Sequence, residues 1–171
     1  KLEKIIPLDL QNLPIGESKY SFLLNKNGGI IDDLIISKLN DNNDFFYIVL
    51  NASRRKIDLN ILSEILGNKN LIIERRDYSL LSLQGPKARK ILINLLPEVR
   101  NLKFMKIIQV KYKNNNIIIS CSGYTGEDGF ELSISNNIVK QFVEELIQNK
   151  DIKLCGLGSR DTLRIEAGLC L

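Results

Sequence analysis

Two strand-like segments separated by a short turn constrain the fold of this chain more than any other feature. Residues Ser18–Leu24 and Ile30–Leu39 are rich in apolar residues, and the intervening Asn25–Gly29 has the sequence NKNGG. Asn and Gly readily adopt the positive backbone φ angles that tight hairpin turns need. The sequence therefore predicts an antiparallel β-hairpin in this part of the chain.

The other apolar segments predict further short strands interspersed with helices. Apolar residues recur at helical spacing in Ser53–Leu66 and in Ile138–Ile147. We also predict a helix from Pro86 to about Leu96 and a last helix that begins near Ser159. Most neighbouring strands are linked by hairpins, which indicates an α+β fold with largely antiparallel sheets and flanking helices. The remaining predicted strands are Phe45–Leu50, Tyr78–Gln84, Phe104–Tyr112, Ile117–Ser122 and Phe130–Ser135.

The composition excludes several kinds of chemistry. The 171 residues include no histidine, which rules out a Ser–His or Cys–His nucleophile pair and imidazole metal ligands within this chain. The three cysteines form no CxxC pair, so we predict reduced thiols and no metal site. The net charge of +4 is mild and the basic residues are scattered, so nucleic-acid binding is not indicated. No apolar run approaches the roughly 20 residues that cross a bilayer, so we predict no membrane span.

The two ends of the chain suggest a piece of a longer protein. The sequence begins with Lys1 rather than Met, and its last residues, RIEAGLCL, fall inside a predicted helix that has no stop signal. The N-terminus lacks the apolar segment of a secretory signal. The three widely separated cysteines favour a cytoplasm-like compartment. No change in composition marks a domain boundary, so we treat 1–171 as one region, truncated at both ends, with two interleaved subdomains as the alternative.

The segment GGIIDDLII, residues 28–36, places two adjacent carboxylates in an apolar strand. Side chains alternate along a strand, so Asp32 and Asp33 should point to opposite faces of the sheet. A carboxylate held among Ile and Leu tends to have a raised pKa, which suits a general base near neutral pH. The alternative, which the spacing alone favours, is that both residues bind loop amides or lie on an edge strand.

Two glycine-containing segments carry the other candidate binding groups. SGYTGEDGFEL, residues 122–132, combines three glycines with the ring of Tyr124 and the carboxylate of Glu131. GLGSRD places Arg160 near a helix N-terminus, which favours anion binding. The alternatives are an acidic surface hairpin and an Arg that only pairs with a nearby Asp. Together the segments suggest a planar ligand with an anionic tail, bound by carboxylates at one end and by Arg at the other.

Five short segments, in the same order, resemble the glycine-cleavage-system aminomethyltransferases, the T-proteins. They are KYSFLLNKNGGIIDDLIISK, YIVLNAS, LLSLQGPKA, SGYTGEDGFELS and GLGSRDTLRIEAGLCL. The resemblance extends from about Ser18 to Leu171 and implies the folate-binding region of the aminomethyltransferase fold. It implies transfer of the carbon of an aminomethyl group, carried on the lipoyl arm of the H-protein, to tetrahydrofolate with release of ammonia.

The resemblance also implies roles for individual residues. The catalytic aspartate of the family corresponds to Asp33, which leaves Asp32 a structural role. The glutamate that binds the pterin corresponds to Glu131, and Arg160 matches an arginine near the folate. Tetrahydrofolate is then a co-substrate and lipoylated H-protein the partner, in a bacterial-type cytoplasm or a mitochondrial matrix. Weaker matches to positions that line the same site are Tyr20, Asn51 and Tyr124.

Two other functions fit the same segments. One is a folate-binding module without transfer activity, and the other is the folate domain of an enzyme of the sarcosine or dimethylglycine dehydrogenase type. The DD pair together with GLCL fits the T-proteins better than either. We expect transfer activity to need the complete enzyme, and we expect Asp33, Glu131 and Arg160 to share one cleft.

Overall fold

The computed structural model describes residues 1–41, 45–67 and 72–170 and divides the chain into two compact units, Lys1–Glu74 and Arg75–Leu171. The units are contiguous in sequence, and each contains one antiparallel sheet with helices. The α+β fold class predicted from the sequence is confirmed. No helix in these described ranges has the length and apolar character needed to cross a membrane.

The first unit is a three-stranded antiparallel sheet with a helix packed on it. Its strands β1 (Glu17–Leu24), β2 (Ile30–Lys38) and β3 (Tyr47–Leu50) pair in sequence order. Helix α1 (Arg55–Leu66) follows β3, and a 3₁₀ helix (Leu2–Lys4) lies at the start of the chain. The predicted hairpin is therefore β1–β2, and the predicted third strand is shorter than expected.

Local contacts explain the hairpin turn, and side-chain burial explains the packing of the sheet. The Asn25 carboxamide oxygen accepts hydrogen bonds from the backbone N–H groups of Asn27 (2.8 Å) and Gly29 (2.9 Å), as Asn side chains commonly do in turns. One face of the hairpin carries Leu23 and Leu34, which belong to a buried apolar cluster with Leu62 of α1. This cluster orients the sheet face that bears Asp32.

The second unit is a four-stranded antiparallel sheet in which the strand order is β4-β7-β6-β5. Its central strand β7 carries the fully buried Phe130, Leu132 and Ile134, which pack in one cluster with Phe142 of the third α-helix. Burial of these large side chains provides the core of this unit. The elements are β4 (Tyr78–Gln84), α2 (Ala88–Leu92), a 3₁₀ helix (Pro97–Asn101), β5 (Ile107–Tyr112), β6 (Asn115–Ser120), β7 (Gly129–Ser135), α3 (Asn136–Ile147) and α4 (Leu157–Glu166).

The described residues contain the seven strands and four α-helices that the sequence predicts, with shifted ends. The strand expected from Phe104 begins at Ile107, because Met105 has a φ of 58°, outside the extended region. The helix expected to reach Leu96 ends at Leu92. The last helix begins two residues before Ser159, whose hydroxyl donates to the carbonyl of Gly156 (2.6 Å) and therefore does not cap the helix.

Candidate functional site

The two adjacent aspartates lie near the start of β2 in the first unit. The strand register places Asp32 opposite Leu23 and Asp33 opposite Phe22. Directly paired residues share a face, so Asp32 lies on the face with the buried apolar cluster and Asp33 on the other face. This is the alternation that the sequence predicts.

The side chain of Asn51, just after β3, connects the two aspartates. Its amide nitrogen lies 3.0 Å from Oδ1 of Asp32 and 3.3 Å from the carbonyl oxygen of Asp33, and it also donates to Oδ1 of Asp33. The backbone N–H of Asp33 donates to the same Oδ1 of Asp32 (3.0 Å). Asn51 and Asp33, both predicted site residues, are therefore in direct contact, and the amide fixes the Asp33 carboxylate.

Tyr20, a further predicted binding residue, lies on β1 with a side chain that is 53% exposed. Its ring meets that of Phe22 edge-on, with 5.4 Å between the ring centroids. Phe22 is the register partner of Asp33, and Tyr20 lies two residues away on the same strand. The phenol ring is therefore on the same sheet face as Asp33.

A third carboxylate in this unit, Asp58 of α1, was not predicted from the sequence. It is completely buried, and in the described part of the chain no donor group reaches either of its oxygens. Burial, followed by the hydrogen bond and the charge of the neighbouring Asp32 carboxyl, raises the pKa of Asp58 to about 6. The available signal was its position four residues before the buried Leu62, on the apolar side of the helix.

In the second unit, Glu131 lies on β7 among hydroxyl groups. The hydroxyl of Ser122 donates to its Oε2 (2.7 Å), and the hydroxyls of Ser120 and Ser122 are 2.7 Å apart. The register places Glu131 beside Ser82 of β4 and Ser120 of β6. The half-buried carboxylate is thus held by one hydroxyl, in a polar patch of the sheet.

Gln84, at the end of β4, fills the space beside two of the loop glycines. Its side-chain nitrogen donates to the carbonyl of Ser122 (3.0 Å), and its oxygen accepts from Thr125 (3.4 Å). A β-carbon added to Gly123 or Gly129 would lie 1.9 Å or 2.0 Å from Oε1 of Gln84. These two glycines therefore make room for a protein side chain. Gln84 is a residue that the sequence analysis did not single out.

Arg89 of α2 anchors the same loop. Its guanidinium binds both oxygens of Asp128 (2.8 Å and 2.7 Å) and donates to the carbonyl of Val99 (2.7 Å). Its carbon Cζ lies 4.8 Å from the centroid of the Phe130 ring. The Asp128 carboxylate is therefore occupied by a structural ion pair.

Arg160 and Tyr124, two predicted binding residues, are in contact. The guanidinium carbon of Arg160 lies 4.8 Å from the centroid of the Tyr124 ring, which is the geometry of a cation–π interaction. The loop lies close to the end of α4: a β-carbon added to Gly126 would lie only 2.6 Å from Cβ of Ala167. The neighbouring Asp161 pairs with Arg164 (3.5 Å).

The six predicted site residues thus form two groups. Tyr20, Asp33 and Asn51 belong to the first unit, and Tyr124, Glu131 and Arg160 belong to the second. That both groups contribute to one cleft stays a prediction. Among the described residues, no cluster of three or more Cys, Asp, Glu or His side chains is placed to hold a metal ion.

Comparison with known proteins identifies relatives along the whole chain. A family model described as the GCVT N-terminal domain matches residues 1–171. The chain is 42% identical over 183 residues to the mitochondrial aminomethyltransferase of Saccharomyces cerevisiae, covering 99% of this chain and 45% of that protein. It is 43% identical over 183 residues to the aminomethyltransferase of Prochlorococcus marinus, covering 99% of this chain and 49% of that protein.

A solved structure is similar in both sequence and fold. The crystal structure of glycine cleavage system aminomethyltransferase T from Bartonella henselae superimposes with a TM-score of 0.90 at 36% identity, covering 99% of this chain and 46% of that one. This chain therefore spans about half the length of the relatives that it matches.

Proposed function

Because this chain belongs to the family of the GCVT N-terminal domain, which matches it from end to end, we propose that it forms the folate-binding region of a glycine-cleavage-system aminomethyltransferase. The reaction moves the methylene carbon of an aminomethyl group from the lipoyl arm of the H-protein to tetrahydrofolate. The products are 5,10-methylenetetrahydrofolate, ammonia and the reduced lipoyl arm. The observation that carries the proposal is the Asp33 carboxylate, which the Asn51 amide holds on the sheet face opposite the apolar cluster.

Asp33 is the proposed catalytic residue. It hydrogen-bonds the folate near N10 and assists proton movement while N5 attacks the methylene carbon. The proton is needed because the departing ammonia must be protonated. A positioned general acid–base group contributes about 10²- to 10⁴-fold to the rate of such a step. The contact from Asn51 supports this role, because it fixes the direction of the carboxylate before the folate binds.

Glu131 is the proposed anchor for the pterin ring. The ring N–H and the amino group of a pterin are two parallel donors, and a carboxylate offers two acceptors in matching geometry. The hydroxyl of Ser122 orients one carboxylate oxygen by donating to it (2.7 Å). Glu131 thereby presents an acceptor of defined direction.

Arg160 is proposed to bind the anionic part of the folate. Its guanidinium stacks on Tyr124, so the aromatic ring restricts where the charge lies before any ligand is present. Tyr20 and Asn51 are proposed to line the folate-binding face around Asp33, where Tyr20 shares the sheet face with that residue.

The proposed partner is the lipoylated H-protein, whose arm carries the aminomethyl group to the bound folate. Holding both reactants together makes the transfer effectively intramolecular and supplies a large part of the acceleration. The proposed compartment is the one that houses the glycine cleavage system, a bacterial-type cytoplasm or a mitochondrial matrix.

The test is Asp33→Asn in the complete polypeptide that carries this sequence. We expect H-protein-dependent ammonia release to fall by about 10²- to 10⁴-fold, with tetrahydrofolate affinity close to that of the unmodified protein. Asp41→Asn, a change at an exposed position of the same unit, is the charge-matched control. Full transfer activity in Asp33→Asn refutes the catalytic role, and folate binding without ammonia release in the unmodified protein favours a binding module.

A further inference from the structure

The completely buried Asp58 has no function in the proposed reaction, and its surroundings need an explanation. A buried ionised carboxylate without a donor is energetically costly, so such groups are usually paired or neutral. Three buried carboxylate oxygens lack a hydrogen-bond donor within the described ranges: Oδ1 and Oδ2 of Asp58 and Oδ2 of Asp32. Asp32 lies on the sheet face of the apolar cluster that includes Leu62 of α1, and its carboxyl group raises the pKa of Asp58. One proton between the two carboxyl groups would pair one oxygen of each residue, which accounts for two of these three oxygens.

A chain of hydrogen bonds leads from this pair to Asp33. Oδ2 of Asp32 is buried without a donor in the described part of the chain, whereas Oδ1 of Asp32 accepts from the Asn51 amide (3.0 Å) and from the backbone N–H of Asp33 (3.0 Å). The same Asn51 amide donates to the Asp33 carboxylate. A change in the direction of the Asp32 carboxyl therefore changes the donor that fixes Asp33.

We propose that Asp58 and Asp32 share one proton as a buried carboxyl pair, and that this pair positions Asp33 through the side-chain amide of Asn51. The pair is independent of the proposed function, whereas its effect on catalysis rests on the role proposed for Asp33. Asp58 is thus a positioning residue that touches neither folate nor the lipoyl arm.

The charged groups around Asp58 favour retention of the proton. Asp32, on the same sheet face, and Asp33, on the opposite face, both disfavour the negative charge of Asp58. The charge of Arg54, just before α1, opposes them. Burial and Asp32 outweigh the charge of Arg54, whose guanidinium donates to the carbonyl of Ile31 (3.2 Å). Together with burial, these groups place the pKa of Asp58 at about 6.

Loss of the shared proton should disturb the hydrogen-bond chain. Two adjacent carboxylates without a donor repel each other, and the carboxyl that can move is that of Asp32, which is only partly buried. The Asn51 amide then loses a fixed acceptor, and Asp33 loses its fixed orientation. The Asp33 carboxylate should therefore be held less firmly as the pH rises and the pair loses its shared proton.

The first test is NMR of the protein with ¹³C-labelled carboxyl carbons and ¹⁵N-labelled side-chain amides. We expect the Asp58 carboxyl carbon to titrate well above an ordinary aspartate, and the Asn51 amide signals to shift with the same midpoint. In Asp32→Asn, the new amide donates to Asp58 and should lower its midpoint by about one pH unit or more. Glu64→Gln, at an exposed position of the same helix, should leave the midpoint unchanged.

The second test is the pH profile of ammonia release in the complete polypeptide. The amide introduced by Asp58→Asn donates a hydrogen bond to Asp32 at every pH, so we expect the kcat profile of this variant to stay flat where the kcat of the unmodified protein declines with rising pH. Asp58→Leu has no donor and should have a kcat lower by about 10- to 100-fold. If kcat is retained in Asp58→Asn but lost in Asp58→Leu, the role of residue 58 is hydrogen bonding, because both side chains fill the same space in the core.

The outcomes decide the pair and the proposed reaction separately. The shared proton is overturned if Asp58 titrates near pH 4. It is also overturned if Asp32→Asn does not change the titration midpoint of Asp58. The positioning role is overturned if the Asn51 amide signals do not shift as Asp58 titrates. It is also overturned if Asp58→Asn and the unmodified protein have the same pH profile of kcat. If the unmodified protein releases no ammonia with H-protein at any pH, the proposed function fails while the NMR titration still decides the pair.

Discussion

The side-chain amide of Asn51 donates to the carboxylate of Asp33, so the proposed catalytic group is fixed from the end of the neighbouring strand. The same nitrogen lies 3.0 Å from Oδ1 of Asp32. A single donor group thus offsets part of the repulsion between two adjacent carboxylates. An aspartate at this position would have similar size but would offer only acceptors.

The first prediction compares Asn51→Asp with Asn51→Ala. Removal of the donor in Asn51→Ala should lower the free energy of unfolding by about 1 kcal/mol. Asn51→Asp should be less stable still at pH 7.5, because a further negative charge lies beside Asp32 and Asp33. The gap between the variants should narrow at pH 4, where carboxylates begin to take up protons. Urea denaturation at both pH values measures this, and an Asn51→Asp protein as stable as the unmodified one at pH 7.5 contradicts it.

The second prediction is a pH-dependent stability difference at Asp58. The pKa of this group is raised from 3.8 to about 6 in the folded chain, first by burial and then by Asp32. The folded chain therefore holds the proton over a range in which the unfolded chain has released it. As the pH rises from about 4 through about 6, this group should remove about 3 kcal/mol from the free energy of unfolding.

Asp58→Asn does not titrate and should escape this loss. Its stability relative to the unmodified protein should rise across the same pH range and then become constant. Denaturation with urea at pH 4.5, 6 and 8 measures the difference, and Glu64→Gln is the control on the same helix. Parallel curves for Asp58→Asn and the unmodified protein would falsify the raised pKa.

Features set by neighbouring residues could be predicted from the sequence. The hairpin turn depends on Asn25 and on Gly28, whose φ is 80°, and NKNGG shows both residues directly. Helix α3 follows from apolar periodicity, with a cap in which Ser135 accepts from the N–H of Asn137. The fold class, predicted from strands linked by hairpins, and the family, predicted from short motifs, are confirmed as well.

Features set by packing between distant segments could not be predicted. Helical spacing places Asp58 on the apolar side of α1, but nothing near residue 58 reveals Asp32 as its carboxyl partner. Gln84 faces Gly129 only because β4 and β7 pair in one particular register. The opposite faces of Asp32 and Asp33 were predictable from strand alternation, but their common contact with Asn51 was not.

The third prediction concerns Glu131 as the pterin anchor. Glu131→Gln replaces one acceptor oxygen by a donor, which then faces a donor of the pterin. Hydrogen bonds to charged groups contribute about 1.5–3 kcal/mol, so tetrahydrofolate affinity should fall by about 10- to 100-fold. Titration calorimetry on the complete polypeptide measures the dissociation constant. Glu98→Gln, at an exposed position of the same unit, should bind normally, and unchanged affinity in Glu131→Gln removes this residue from the site.

The fourth prediction is that Gln84 and Gly129 are energetically coupled. A β-carbon on Gly129 would lie 2.0 Å from Oε1 of Gln84, so Gly129→Ala should displace this side chain. Displacement also breaks the bond from Gln84 to the Ser122 carbonyl (3.0 Å), and Ser122 orients Glu131. Overpacking of this kind costs about 1–3 kcal/mol, and tetrahydrofolate affinity should fall as well.

A double-mutant cycle tests this coupling. Gln84→Ala removes the side chain that clashes, so the double variant should be more stable than the sum of the single effects predicts, by about 1 kcal/mol or more. Gly158→Ala is the control, because nothing lies within 4 Å of a β-carbon there and alanine favours a helix. Additive effects of Gln84→Ala and Gly129→Ala in urea denaturation would mean that the two residues do not compete for one space.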